Sequence, residues 1–208
     1  MLLQQELKKM AIAVSKPTTL EDYFALQPEG EARYELENGE WKTIPPESEL
    51  NRRIAIFLLI YFAQLGISAA RLSMKTEIAV FGSKVSVRIP DLIMLSEEAA
   101  HALEGATRST ITLDMPLPEL VVEVVSPGKE NIDRDYRYKR AQYQARAINE
   151  YWIIDPITEK ITVLTMNEGL YDEAVFEKQD HLSSLFIEQY KPQKKLTVAE
   201  VLQVTEKN

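Results

Sequence analysis

Residues 118–127, with the sequence PELVVEVVSP, decide the fold. This near-continuous apolar run is typical of a central strand that is buried on both faces of a sheet. Glu123 lies in the middle of the run, and strand alternation places its side chain on the same face as Val121 and Val125. Burial of an ionised carboxylate costs several kcal/mol unless the carboxylate is paired or binds a metal. The run therefore predicts a buried strand that carries a polar site on one face.

The partner of Glu123 is the first question that this strand raises. No basic residue lies in the run, so a metal ion or another external cation is the first candidate. The alternative is an ion pair with a lysine or an arginine from elsewhere in the chain. Both alternatives place a positive charge beside Glu123.

A second acid follows a proline in residues 88–95, which have the sequence RIPDLIML. Pro90 forces Ile89 into an extended backbone and removes one hydrogen-bond donor from a strand ladder. The strand is therefore expected to bend or to become an edge at Asp91, which exposes this carboxylate at the end of the sheet. A turn or capping role is the alternative for Asp91, although LIML continues as a strand. If the two strands are neighbours, Asp91 and Glu123 form a divalent-metal site.

The helix predicted directly after the Glu123 strand carries a lysine that suits such a site. Asp135, Lys139 and Tyr143 share one face of this helix at i, i+4 spacing. A lysine that faces a metal site can position a water and can stabilise negative charge that develops on a phosphate. A surface ion pair between Asp135 and Lys139 is the alternative role.

Length and composition indicate one globular domain. The chain has 208 residues, of which 45% are hydrophobic and 27% are charged. Residues 1–17 are polar and weakly patterned, so we expect an N-terminal extension followed by a single domain over residues 18–208. Cysteine is absent from the chain, which excludes a thiolate zinc site and agrees with a reducing, cytoplasmic location. His101 and His181 lie far apart, so neither a histidine metal cluster nor a Ser-His-Asp triad is supported.

The net charge of −8 opposes binding to nucleic acid, because phosphate contacts normally draw on clustered lysines and arginines. The best candidate for a local basic face is one of the densest positive runs in the chain. This run consists of Arg134, Arg137, Lys139, Arg140 and Arg146.

The most apolar run, residues 54–70, contains Gln64 and Gly66 and follows two arginines. A buried helix is therefore expected there rather than a membrane span, and no membrane partner is expected.

The rest of the chain alternates helix and strand signals. Asn38-Gly39 lies between two alternating runs in residues 33–44, which is the strongest short hairpin signal. Helices are expected at residues 18–26, 47–65, 133–147 and 197–204, with a single helical turn at 97–103. Strands are expected at residues 71–81, 84–95, 119–126, 150–156, 160–166, 170–178 and 183–192. Together these elements predict an α/β (α+β) fold with a mixed central sheet flanked by helices and an N-terminal β-hairpin.

These motifs together resemble a known family. The order Pro-Asp, then a gap, then Glu in a hydrophobic strand resembles the PD-(D/E)XK nuclease superfamily. The succession PELVVEVVSP, Asp133, Lys139, Tyr143 and EYWIIDP, with YELENGEW earlier in the chain, is similar to the Uma-two family of endonucleases. The resemblance runs from about Leu20 to the C-terminal helix.

The resemblance has consequences for fold, chemistry and site. It implies the restriction-endonuclease-like fold, hydrolysis of phosphodiester bonds in nucleic acid, and a divalent metal that is usually Mg²⁺, with Mn²⁺ as a second candidate. By this resemblance Asp91 and Glu123 are the metal ligands.

One position departs from the superfamily pattern. The residue two after the glutamate is often lysine, and this chain has Val125 there. The family resemblance implies that the role of this lysine has moved to Lys139. Such sites are often completed by another acid from the N-terminal part, for which Glu35 in YELENGEW is the first candidate and Glu49 the second. A solvent-facing strand position is the alternative for Glu35.

Two functional hypotheses follow. The first is a Mg²⁺-dependent endonuclease that acts on DNA as a homodimer, with Asp91, Glu123, Lys139 and Glu35 as catalytic residues. The second is a catalytically inactive protein that keeps the nuclease scaffold as an interaction or regulatory module. The presence of both acids and of Lys139 favours the first hypothesis. The acidic net charge and Val125 favour the second.

Overall fold

The computed structural model describes residue 17 and residues 19–25, 33–192 and 195–202. The extension expected over residues 1–17 lies outside this part of the chain, apart from Pro17. The boundary between the extension and the domain therefore stays a prediction.

The helices are short apart from one, and two of them flank a π-helical segment. The α-helices are α1 (Leu20–Ala25), α2 (Glu49–Gln64), α3 (Glu97–Ala102), α4 (Lys129–Asp133), α5 (Arg140–Ala145), α6 (Leu185–Gln189) and α7 (Val198–Leu202). A 3-10 helix covers Ala69–Arg71, and the π-helical segment covers Arg134–Lys139, between α4 and α5.

The strands form two mixed sheets. They are β1 (Arg33–Glu37), β2 (Glu40–Ile44), β3 (Leu72–Ser73), β4 (Glu77–Val80), β5 (Ser86–Arg88), β6 (Leu92–Leu95), β7 (Thr110–Ile111), β8 (Pro118–Val124), β9 (Glu150–Asp155), β10 (Lys160–Asn167) and β11 (Leu170–Glu177). The first sheet has the order β2-β1-β5-β4-β7, and the second has the order β11-β10-β9-β8-β6-β3. The pairs β4–β7 and β8–β9 are parallel, and the other described pairs are antiparallel. The predicted mixed architecture with flanking helices is confirmed, although its strands divide between two sheets.

Two predicted strands are broken, and each break moves the chain from one sheet to the other. Residues 84–95 become β5 and β6, with a break that contains Pro90. Residues 71–81 become β3 and β4. Proline has no N–H for a ladder, so strand pairing stops at Pro90. Arg88 consequently ends a strand of the first sheet, while Asp91 directly precedes a strand of the second.

Strand β8 lies inside the second sheet and is buried on both faces, as its apolar sequence predicts. On one face the sheet packs against α2, whose Ile54, Leu58 and Phe62 are fully buried. On the other face it packs against Ile78 of β4 and Tyr143 of α5. Helix α2 is thus a core helix, as expected for the apolar run that contains it. No helix in the described part of the chain is both long enough and apolar enough to cross a membrane.

The hairpin between β1 and β2 turns at Asn38 and Gly39, whose φ angles of 50° and 75° are both positive. Two positive φ angles are typical of a type I′ turn, which asparagine and glycine favour. The N–H of Gly39 donates to the carbonyl oxygen of Val85 at 2.8 Å, which holds the hairpin against the rest of the first sheet. The predicted hairpin is confirmed, and its first strand carries Glu35.

The predicted strand at residues 183–192 is wrong, because this segment contains helix α6. Ser184 caps the helix by accepting the N–H of Ile187 at 3.1 Å, and the carboxylate of Glu150 accepts the N–H of Phe186 at 3.1 Å. These bonds satisfy donors of the first helical turn. The partner Glu150 lies 36 residues away from Phe186, so the local sequence pattern does not reveal it.

Candidate active site

A small cavity lies at the end of β8, where the two sheets meet the helical stretch that contains the π-helical segment. Its volume is about 90 Å³, the space of roughly three water molecules. Acidic and basic side chains line it in similar numbers. The acids are Glu35, Glu37, Glu47, Asp91 and Glu123, and the bases are Lys42, Arg88, Arg134 and Lys139.

The structure brings Asp91 and Glu123 together at this cavity. In the β6–β8 ladder Leu92 pairs with Val122, so one further antiparallel step sets Asp91 opposite Glu123. Residues in opposite positions have Cβ atoms about 5 Å apart and side chains on the same face. Asp91 is partly exposed, and its Oδ2 accepts the N–H of Val124 at 2.7 Å. Glu123 is buried, with only 3% of its surface exposed.

Lys139, the last residue of the π-helical segment, supplies the positive charge beside Glu123. Its Nζ lies 2.8 Å from Oε1 of Glu123, 3.3 Å from Oε1 of Glu35 and 3.6 Å from Oδ1 of Asp135. Tyr143 follows on the same helical face and donates its hydroxyl to Oε1 of Glu123 at 2.9 Å. The internal ion pair that was left open as an alternative for Glu123 therefore exists. The pair between Lys139 and Asp135 that was the alternative role for Lys139 is also present, but both side chains are buried, so it is not a surface pair.

Glu35 is a buried residue of the site and not a solvent-facing strand position. Its Oε2 accepts from Nη1 of Arg88 at 2.9 Å, and its Oε1 accepts the N–H of Ile89 at 3.0 Å. Glu49, the second candidate for this role, is exposed and pairs with Arg52 at 2.7 Å. Glu49 does not line the cavity.

One charged residue of the site, Arg88, escaped the reasoning from sequence, and Arg134 and Asp135 were named there without a role in the site. Arg88 is fully buried and donates from Nε to Gln142 at 2.8 Å. Arg134 lies partly exposed at the cavity and pairs with the buried Asp135 at 3.1 Å. A signal existed for Arg88, since it stands in the apolar run VSVRIP as Glu123 stands in LVVEVV.

Burial dominates the ionisation of the two carboxylates proposed as metal ligands. It raises the pKa of Glu123 to about 8, although the charge of Lys139 acts in the opposite direction. It raises the pKa of Asp91 to about 6, against the opposing effects of Lys139 and of the Val124 N–H. The negative charges of these two groups are thus incompletely compensated by the protein itself.

For Glu35 and Lys139, neighbouring charges together change the pKa more than burial does. Burial alone would raise the pKa of Glu35, but Lys139 and Arg88 outweigh it and lower this pKa to about 2. Burial alone would lower the pKa of Lys139, but Glu123 and Glu35 outweigh it and raise this pKa above its ordinary value. Glu35 and Lys139 are therefore both charged at neutral pH.

The positive run in the sequence does not form one basic face, so this expectation is wrong. Arg140 pairs with Glu173 on the outside of the protein at 2.5 Å. Arg146 is buried and donates to three backbone carbonyl oxygens. Arg134 and Lys139 instead point to the cavity. Successive helical positions diverge in direction, so a run that is dense in sequence is divided among several surroundings.

The oxygen donors at the cavity fit a hard divalent cation. Mg²⁺ is usually held by one or two carboxylates and keeps several waters, and the cavity offers Asp91 and Glu123 with space for a few waters. Within the described ranges, no group of three or more Asp, Glu, His or Cys side chains has the arrangement that would hold a metal ion by itself. Lys139, which holds Glu123, lies among these acids.

Comparison with known proteins assigns the chain to a family. The model of the Uma2 family, described as "Putative restriction endonuclease", matches residues 20–199. The chain belongs to the Uma2 family. The match to the family model confirms the resemblance inferred from the motifs. No curated protein matches this Uma2 chain.

A solved structure shares the fold of this Uma2 chain. It is the crystal structure of a protein from Anabaena variabilis, described as "a putative nuclease belonging to DUF820". The two chains superpose with a TM-score of 0.63 at 14% sequence identity, over 90% of this chain and 99% of the other. The Uma2 chain therefore has the restriction-endonuclease-like fold, and its family supports a nuclease-like function.

Proposed function

We propose that this Uma2 protein is a Mg²⁺-dependent endonuclease that hydrolyses phosphodiester bonds in DNA, with Mn²⁺ able to replace Mg²⁺. The observation that carries the proposal is the position of Lys139. Its ammonium lies 2.8 Å from Glu123, in a cavity at the end of β8 that Asp91 also lines. Two acids and one lysine at the end of one sheet supply ligands and a hydrogen-bond donor for phosphoryl chemistry.

Each side chain has a separate task in this proposal. Asp91 and Glu123 would hold the metal, which would supply a water of lowered pKa and neutralise charge on the phosphate. Lys139 would orient the attacking water or donate to a phosphate oxygen on which charge develops. Glu35 anchors Lys139 at 3.3 Å. Arg134 lies at the cavity with 25% of its side chain exposed, so it is placed to contact a phosphate of the substrate.

Substrate and assembly complete the proposal. Cleavage of duplex DNA needs a site for each strand, which a symmetric dimer supplies, and two-fold dimers are the commonest oligomers of soluble proteins. We therefore propose a homodimer that acts on DNA in the cytoplasm. Light scattering at tens of micromolar protein checks the dimer, and a monomer mass would contradict it.

A nuclease scaffold without activity is the second candidate, and one observation favours it. Lys139 already neutralises Glu123, so the buried acid has a partner even without a metal. Val125 also stands where the superfamily often has its lysine. On this alternative the protein binds a partner and cleaves nothing.

Cleavage of plasmid or oligonucleotide DNA in the presence of Mg²⁺ or Mn²⁺ tests the proposal. We expect Asp91→Asn and Glu123→Gln to abolish cleavage and also to abolish the rise in Tm that Mg²⁺ causes. Lys139→Ala should keep that rise and lose cleavage by about 10²–10³-fold, the usual cost of removing one transition-state donor. Glu98→Gln, on the exposed part of α3, is the control and should behave as the wild type.

The same experiment discriminates between the two candidate functions. If Mg²⁺ raises the Tm of the wild type, Asp91→Asn and Glu123→Gln equally, these residues are not its ligands. If the wild type cuts neither DNA nor RNA with either metal at low salt, the inactive scaffold is the better description.

A further inference from the structure

We infer that the ammonium group of Lys139 competes with the divalent cation for Glu123, so that a metal binds only when Lys139 leaves Glu123. This inference rests on the proposed metal site. It gives Lys139 a role in setting the affinity for the metal, in addition to its proposed role in the reaction.

The surroundings of Lys139 are those of a bound cation. Its Nζ lies within 3.6 Å of carboxylates from three different elements: Glu123 of β8, Glu35 of β1 and Asp135 of the π-helical segment. Only 3% of the residue is exposed, so water contributes little to its solvation. Three oxygen donors around one buried positive charge are what a cation site offers.

Competition follows from the number of bonds that Glu123 makes. Its Oε1 accepts from Nζ of Lys139 at 2.8 Å and from the hydroxyl of Tyr143 at 2.9 Å. A carboxylate oxygen has two lone pairs, so this oxygen has none left for a metal. Binding through the other oxygen would hold a divalent ion and an ammonium on the same carboxylate, where they repel each other at short distance in a poorly solvated region.

The structure also provides a place to which the ammonium can withdraw. Glu35 and Asp135 remain as its partners when the contact with Glu123 is given up. Asp135 and Lys139 lie four residues apart in the same helical stretch, so a shift of this stretch carries both side chains together. In this position Lys139 stays beside the metal and available to the reaction.

Lys139→Met tests the inference, because it removes the charge and keeps a chain of similar length. We expect this variant to bind Mg²⁺ roughly tenfold more tightly or better, measured by isothermal titration calorimetry and by the Mg²⁺-induced shift in Tm. It should at the same time lose cleavage, so that affinity and activity change in opposite directions. Lys139→Arg keeps the charge and should bind Mg²⁺ as the wild type does.

Arg137→Met is the matched control. Arg137 belongs to the same π-helical segment and its substitution removes the same formal charge, but 67% of its side chain is exposed. Because exposed charges are screened by water and salt, its substitution should change Mg²⁺ affinity by less than about twofold.

The outcomes separate this inference from the proposed function. If the wild type binds Mg²⁺ through Asp91 and Lys139→Met binds it no more tightly, the inference is overturned and the metal site stands. A Lys139→Met variant that folds only when Mg²⁺ is added supports the inference, since the metal then replaces the ammonium in stabilising the acids. A variant that stays unfolded at saturating Mg²⁺ overturns it. If neither protein shows Mg²⁺ binding that depends on Asp91, the proposed function fails, and the inference fails with it.

Discussion

At the scale of the residue, the site contains more acids than cationic groups. The described acids there are Glu35, Glu37, Glu47, Asp91, Glu123 and Asp135, and the cationic side chains are Lys42, Arg88, Arg134 and Lys139. An excess negative charge in a poorly hydrated region favours the uptake of either a proton or a cation. The raised pKa of Glu123 is the first of these responses, and the proposed binding of a metal is the second. On that proposal, proton and metal compete for the same carboxylates.

Glu35 should stabilise the protein in a way that depends on pH. Its pKa is lowered from 4.5 to about 2 in the folded state, so its contribution is fully present above the unfolded value and is lost as the pH falls through the folded value. We expect the difference in free energy of unfolding between the wild type and Glu35→Gln to shrink by about 2 kcal/mol between pH 6 and pH 3. Urea unfolding at both pH values measures it. A difference that stays constant would mean that Glu35 is not held by Lys139 and Arg88.

The sequence identifies the acids of the site better than their partners. Asp91 and Glu123 stand out because each is a carboxylate within an apolar strand pattern. The sequence also suggested that their strands are neighbours, and β6 (Leu92–Leu95) pairs with β8 (Pro118–Val124) in the structure. The contact between Lys139 and Glu123 is not accessible, because it depends on the turn after β8 and on the π-helical segment. Neither feature has a signal in hydrophobic periodicity.

At the scale of the element, capping by distant side chains decides the segment that the sequence assigns wrongly. Residues 183–192 were expected to form a strand, yet α6 forms there because Ser184 and Glu150 satisfy N–H groups of its first turn. Glu150 begins β9 and is buried, and it also accepts from Nε1 of Trp152 at 2.6 Å. A strand pattern that lacks a neighbouring strand is overruled by such bonds.

Glu150→Ala should therefore destabilise the protein strongly although the residue is remote from the cavity. The substitution leaves the N–H groups of Trp152 and Phe186 buried without an acceptor, and each such group costs about 1–3 kcal/mol. We expect the free energy of unfolding to fall by about 2–5 kcal/mol in urea titrations. Glu98→Ala, an exposed residue of α3, should change it by less than about 0.5 kcal/mol. Equal effects of the two substitutions would refute the capping role of Glu150.

At the scale of the whole molecule, the site exists only where the two sheets meet. Glu35 and Arg88 come from the first sheet, Asp91 and Glu123 from the second, and Lys139 from the helical stretch that follows β8. The break at Pro90 is what carries the chain from one sheet to the other. The site is thus a product of the topology, and the net charge of −8 leaves it as a small region of mixed charge on an acidic protein.

This distribution of charge predicts how nucleic acid should bind. Binding releases counterions in proportion to the phosphates contacted, with a slope of about −0.9 per contact in a plot of log K against log salt. Arg134 and Lys42 are the cationic side chains at the cavity with substantial exposure in the described part of the chain. We therefore expect weak binding and a slope near −2, measured by fluorescence anisotropy on the Glu123→Gln variant between about 50 and 200 mM salt.

A substitution at the cavity and one away from it make this last prediction specific. Adding Arg134→Met should make the slope shallower by about 1, because one phosphate contact is lost. Adding Arg52→Met should leave it unchanged, since Arg52 lies on α2, pairs with Glu49 and does not line the cavity. A slope steeper than about −5 that Arg134→Met does not alter would locate the phosphate contacts elsewhere on the protein. In that case DNA would bind at a second, larger basic region of the protein and not at the cavity.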